Sequence, residues 1–204
     1  MSEATTFVNP LKTGPTIVVA AVGEAEGARG AAAALACAGT DLDRATLFVD
    51  VGGRAPRPAL LASAAAQELE QRLAAHLPAA KVAARGQVCQ LAVPADAEGV
   101  ESAVAAVSVA REIAVVVHVP PQLLQVALDS ALRPSGVLLR VELAEDRPLL
   151  ALVARDLLQR GLAFAVLKRR LNWVAERRAL FGALPAGSQG ALPLRLVRRL
   201  GIPG

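Results

Sequence analysis

Short apolar runs of strand length, hydrophobic at consecutive positions and separated by Ala- and Leu-rich segments of helical period, constrain this chain more than any single residue does. Strands are predicted over Thr16–Val22, Ala45–Val51, Gln87–Val93, Ile113–Val117, Gly136–Leu143 and Leu162–Leu167. Helices are predicted over Gly27–Ala38, Pro58–His76, Ala97–Arg111, Pro120–Leu132, Arg147–Arg160 and Asn172–Phe181. A strand with one wet face alternates apolar and polar residues. Several of these do not, so both of their faces are expected to be buried. Strand and helix taking turns in this way predict an α/β fold: a mostly parallel, doubly wound sheet with helices on both faces. Residues 16–185 are expected to form that single domain, after a flexible lead-in over 1–15 and before a basic, partly amphipathic tail over 186–204.

Composition narrows the function classes. Hydrophobic residues make up 54% of the 204, which is ample for one core. Tyr is absent, so any mechanism that needs a phenol is excluded. The longest apolar runs fall well short of the roughly 20 residues that span a bilayer. With no secretory signal pattern at the N-terminus, the expected setting is cytoplasmic, open to membrane association. Cys37 and Cys89 sit in apolar patterns without metal-ligand spacing, and are expected to be buried, reduced thiols.

Charge is unevenly placed. From Arg160 onward nine Lys or Arg stand against one acid, Glu176, so that end carries +8 of a chain whose net charge is +4. The basic surface comprises Arg169, Arg170, Arg177, Arg178, Arg195, Arg198 and Arg199. It suits an anionic membrane surface, nucleic acid or an acidic protein, and equally a solvated face. Trp173 among these residues is expected to pack on the sheet or to dock a partner. In LPLRLVRRL, Leu192, Leu196 and Leu200 fall near one helical face.

Ligands of parallel sheets bind beyond the carboxyl ends of the strands, which makes the residues there the candidates for chemistry. After the first strand comes a glycine-rich turn, with Gly23, Gly27 and Gly30 leading into a helix whose free N–H groups suit a phosphate. A tight strand-to-helix turn uses the same glycines for purely structural reasons. Their spacing differs from that of the dinucleotide fingerprint. Asp50, Arg54, His118 and Lys168 form a candidate strand-end site, in which His118 reads as a general base or as a satisfied structural histidine. The Arg54-Ala55-Pro56-Arg57-Pro58 stretch reads as an anion clamp or an exposed loop. His76, ending a helix, reads as a cap.

In order and context, residues 16–185 resemble the MinD/ParA family of phosphate-loop ATPases, including its degenerate CpaE/TadZ-like members. TIVVAAVGEAEGARGAAAALA is similar to the family's first strand and deviant Walker A loop, and ATLFVDVGG to its second strand ending in an acid, here Asp50. AVVVHVPPQ resembles the strand ending in Asp-x-Pro, and FAVLKRR the strand ending in an adenine-contacting Asn. The resemblance implies a P-loop NTPase-like sheet, the alternative being a Rossmann-like one. It also implies departures: Ala31 and Ala32 match the loop lysine and the magnesium-binding hydroxyl, His118 the Walker B carboxylate, and Lys168 the Asn. No cofactor is therefore expected, nucleotide included. The implied role is that of a non-catalytic scaffold working through a protein partner or as a homodimer. A nucleotide- or small-molecule-binding enzyme using Asp50, Arg54 and His118 is the alternative.

Overall fold

A computed structural model describes residues 14–23, 27–38, 45–57, 61–141 and 147–168. The predicted helix Asn172–Phe181, the tail 186–204 and the basic residues from Arg169 to Arg199 lie outside the described residues. So do residues 1–13 of the lead-in. Gly14 and Pro15 already belong to the fold: the Gly14 N–H donates to the Arg111 carbonyl, and the Pro15 carbonyl accepts from Val115.

In chain order the elements are β1 (Thr16–Val22), α1 (Gly27–Ala38), β2 (Thr46–Val51), α2 (Ala64–His76), β3 (Lys81–Arg85), β4 (Val88–Val93), α3 (Ala97–Val109), β5 (Val115–Val119), α4 (Leu124–Asp129), β6 (Gly136–Val141), α5 (Arg147–Gln159) and β7 (Phe164–Lys168). The strands form one sheet of order β3-β4-β2-β5-β1-β6-β7. All its pairings are parallel except β3 with β4.

Residues of β1, β2 and β6 are buried along their whole length because the sheet is covered on both sides. One core takes Val18, Ala20, Leu47, Val49, Leu91, Val117 and Leu139, with Leu69, Leu73, Val100, Leu124 and Leu157 from helices α2 to α5. On the other face Ile17, Val19, Phe48, Val116 and Leu138 pack against Ala31, Ala32, Leu35 and Ala36 of α1. The many small residues of α1 let it lie close to the strands, and eight of its twelve are buried.

Several boundaries differ from the sequence expectation, each for a local reason. The helix predicted from Pro58 begins at Ala64. Ala62 pairs with Gly86, and the Ser63 hydroxyl caps the helix by accepting from the Ala66 N–H at 3.2 Å. The strand predicted over Ile113–Val117 is displaced to Val115–Val119, because the Ile113 N–H instead closes a turn onto the Ala110 carbonyl. The helix predicted over Pro120–Leu132 is a 3-10 turn (Pro121–Leu123) followed by the short α4. The Ser130 hydroxyl ends it by donating to the Ala127 carbonyl at 2.6 Å. The strand predicted over Leu162–Leu167 is Phe164–Lys168.

β3 was not predicted. It joins β4 through a two-residue turn at Gly86 (φ 56°) and Gln87, and Glu70 of α2 accepts from the Ala84 N–H at 3.1 Å on this edge strand. His76 lies in the last turn of α2 with Nδ1 2.8 Å from the Arg72 carbonyl, a capping arrangement as expected. Cys89 is buried in β4. Desolvation pushes its thiol up to about 12, and the Glu70 charge adds to the shift. Burial also raises the half-buried Cys37, against an opposing effect of Arg85.

Candidate functional site

The register of the sheet sets Asp50 of β2 directly beside His118 of β5, near the carboxyl ends of two neighbouring parallel strands. Both follow the alternation that puts Phe48 and Val116 on the α1 side. Asp50 is completely buried. From above, the third residue of α1, Arg29, reaches the same carboxylate: Nε lies 2.7 Å and Nη2 2.6 Å from Oδ2. His118 approaches the other oxygen, with Nδ1 3.0 Å from Oδ1. A carboxylate only accepts, so the imidazole donates from Nδ1. Asp50 therefore carries a hydrogen-bonding partner on each oxygen.

The loop after β2 closes over this cluster. Gly52 adopts φ 77°, and the Gly53 N–H donates to the Asp50 carbonyl at 3.1 Å. A Cβ at Gly53 would strike the Asp50 carboxylate and come within 2.8 Å of Arg29 Nη2. Glycine is required here by the ion pair itself.

A second arginine stands close by. Arg140, one residue before the end of β6, is 6% exposed, and its guanidinium lies where a side chain on Gly27 would be. Gly27 thus makes room for Arg140 at the start of α1. That gives this glycine of the turn a packing role on top of any approach to a ligand.

The helix begins at Gly27, so its first turn, whose N–H groups lack intrahelical acceptors, consists of Gly27, Ala28, Arg29 and Gly30. Arg29 is the only ionisable side chain of that turn. Ala31 and Ala32 come next and are 1% and 0% exposed, inside the apolar layer with Ile17, Val19 and Phe48. Gly23 has φ 77° and leads out of β1, while residues 24–26 lie outside the described ones.

Of the four candidate strand-end residues, the fold unites two. Arg54 is exposed and makes no hydrogen bond or ion pair to Asp50 or His118. Lys168 closes β7, four strand spacings from β2 in the sheet order, or roughly 19 Å at the usual separation. Arg29 completes the cluster, and Arg140 lies by the start of α1; neither was foreseen. Among the described residues no group of three or more His, Cys, Asp or Glu could hold a metal ion. No helix among them is long and apolar enough to cross a membrane.

The chain superimposes on the crystal structure of a ParA family ATPase from Chlorobium tepidum TLS, with a TM-score of 0.51 at 13% sequence identity, over 81% of this chain and 88% of that one. The fold is ParA-like. No protein-family model matches the sequence, and no curated protein matches it. The Arg29–Asp50–His118 cluster lies at the start of α1 and the carboxyl ends of β2 and β5.

Proposed function

We propose that this chain is a non-catalytic, pseudo-ATPase member of the MinD/ParA-like group, acting as a scaffold or localisation protein through protein contacts. The observation that carries the reading is the saturation of Asp50. A strand-end carboxylate that serves a metal-nucleotide must present an oxygen to the metal or its water. Here Arg29 and His118 hold both oxygens, and Gly53 seals the carboxylate from the loop side. A guanidinium fills the cationic role from within the protein.

The small, buried Ala31 and Ala32 support the same reading, since neither offers an ammonium or a hydroxyl to a phosphate or a metal. These residues do not fit a magnesium-nucleotide. Likeness to CpaE/TadZ-like proteins motivates pilus or secretion assembly as the setting, in the cytoplasm, with a protein partner or a second copy bound. The basic C-terminal part supplies contacts to an anionic membrane surface or nucleic acid.

The deciding experiment is thermal denaturation with and without ATP, ADP and magnesium, together with an ATP hydrolysis assay. A ligand at about 100 times its dissociation constant adds about 2.7 kcal/mol. No shift and no turnover are expected. A magnesium-dependent shift, or hydrolysis lost in Asp50→Asn, would refute the proposal.

One observation favours a second reading. A histidine held at Nδ1 by a buried carboxylate has the orientation of a general base in many enzymes. An α/β enzyme acting on a small molecule, with His118 as base and Asp50 as its positioning residue, would be inactivated by His118→Ala without loss of fold. No nucleophile accompanies the pair among the groups that contact it, which makes this the weaker reading.

A further inference from the structure

The loop after β2 presents two arginines that the Asp50 cluster does not use. Its stem is anchored: the Gly52 N–H donates to the Val93 carbonyl at 2.9 Å, and the Gly53 N–H to that of Asp50. Residues 53–57 belong to no helix or strand, yet their exposure has a period of three. Gly53 and Pro56 are half-buried, while Arg54, Ala55 and Arg57 are exposed. That is the repeat of a polyproline II segment, which turns once in three residues. The residue types favour it: Pro56 restricts its own φ, and Ala55 and Arg57 each precede a proline, which biases them away from helix.

Arg54 and Arg57 then share one face, with Cα atoms about 9 Å apart. Neither guanidinium makes a hydrogen bond or ion pair to a described residue, whereas Arg29, Arg72 and Arg160 each do.

The surroundings select the ligand. A Cβ on Gly52 would lie 3.0 Å from that of Ala95, so the loop after β4, with the exposed Asp96 and Glu98, stands alongside. Two cations beside two anions leave little net charge to draw a polyphosphate or an anionic bilayer. A ligand gains here by meeting both guanidiniums at their spacing, each able to grip a carboxylate with two N–H groups. In an extended chain, residues three apart are separated by about 10 Å, which matches. With the stem anchored and φ restricted, docking orders little further backbone.

We propose that Arg54 and Arg57 dock an extended acidic segment of a protein partner, one that carries two carboxylates three residues apart. This rests on the reading of the chain as a scaffold that acts through protein contacts, and it names the chemistry of the partner.

The test titrates fluorescein-labelled Ser/Gly peptides carrying two glutamates, either adjacent or three residues apart, with the full-length protein and follows fluorescence anisotropy. The spaced peptide is expected to bind about threefold more tightly than the adjacent one. Arg54→Gln and Arg57→Gln should each weaken it about three- to fivefold, and together about tenfold or more, with Tm unchanged. No binding, equal affinity for the two peptides, or an affinity unchanged in the double variant overturns the proposal. So does a short DNA duplex that binds the parent protein and is released in the double variant, since the ligand would then be a polyanion. The thermal and hydrolysis assays with nucleotide probe the strand-end cluster and this titration probes the loop, so either can fail alone.

Discussion

Two regions of this molecule treat their side chains in opposite ways. At the carboxyl ends of β2 and β5, three charged or polar groups are turned on one another, and the glycine loop closes over them. At the α5 and β7 flank, large apolar side chains face outward with no described group covering them. The first region lies beyond strand carboxyl ends, where parallel sheets bind ligands, and here its polar groups are satisfied by one another. The second is a helix flank that no other described residue covers. The contrast supports the proposed reading, in which this chain acts through its surfaces more than through its crevice.

The strongest way to break the contrast is Asp50→Ala. A buried carboxylate kept ready for a ligand is a strained feature, and its removal often leaves a protein as stable or more so. Asp50 is instead the shared acceptor of two partners, one of which, Arg29, is 40% exposed at its side chain. The expected loss is about 2–4 kcal/mol in urea denaturation, discounted for that exposure. A neutral or stabilising result would mean that the cluster is a site and not a structural lock.

A pH titration of stability sharpens the comparison from the other side, where a group is held neutral in a fully apolar setting. The Cys89 thiol is pushed up to about 12 by burial, with Glu70 adding to it. Since the unfolded chain releases this proton first, the folded state binds more protons above the ordinary thiol pKa. Stability then falls with rising pH. The contribution is complete below about pH 8.5, and fades at up to about 1.4 kcal/mol per pH unit towards the folded value. Cys89→Val should flatten that limb relative to the parent; an unchanged slope would assign it to other groups.

Gly27→Ala gives a smaller effect whose sign matters. Within a helix the change ordinarily stabilises by about 0.5–1 kcal/mol. Here the new methyl meets the Arg140 guanidinium, so a loss of about 1–3 kcal/mol is expected in the same assay. A gain would show that Arg140 moves aside easily. The least change is expected from Leu158→Gln on α5. A residue 66% exposed, with no described residue over it, should respond within about 0.5 kcal/mol, and a larger loss would show that it is covered in the full-length protein.

Much of the sheet could be read in advance because its strands are apolar on both faces and its helices are long. β1 and α1 run as expected from end to end. β3 escaped because KVAAR is short, Ala-containing and charged at both ends, as suits an edge strand. Its surest mark was the Gly86-Gln87 turn. In the cluster, Asp50 and His118 were visible as polar residues closing apolar runs.

Arg29 was not visible as a site residue, because its role depends on the rotation of α1 above the sheet. It did leave one trace: a cation in the first turn of a helix opposes the dipole, and such a local conflict implies a compensating anion. Arg140 left a similar trace as a lone charge inside the run GVLLRV. Arg54 and Lys168 looked alike in the sequence to the residues that do converge, and only the order of the strands separates them.

That strand order also has a consequence in time. β1 precedes the other strands in the chain, yet it lies in the interior of the sheet, paired with β5 and β6. Its partners begin at Val115 and Gly136, so about a hundred residues must be made before TIVVAAV can hydrogen-bond to either of its neighbouring strands. Until then a fully apolar segment with open backbone groups waits on the growing chain. Folding of this protein is bound to a long-range closure, slow by the standards of local structure and exposed to aggregation during the wait.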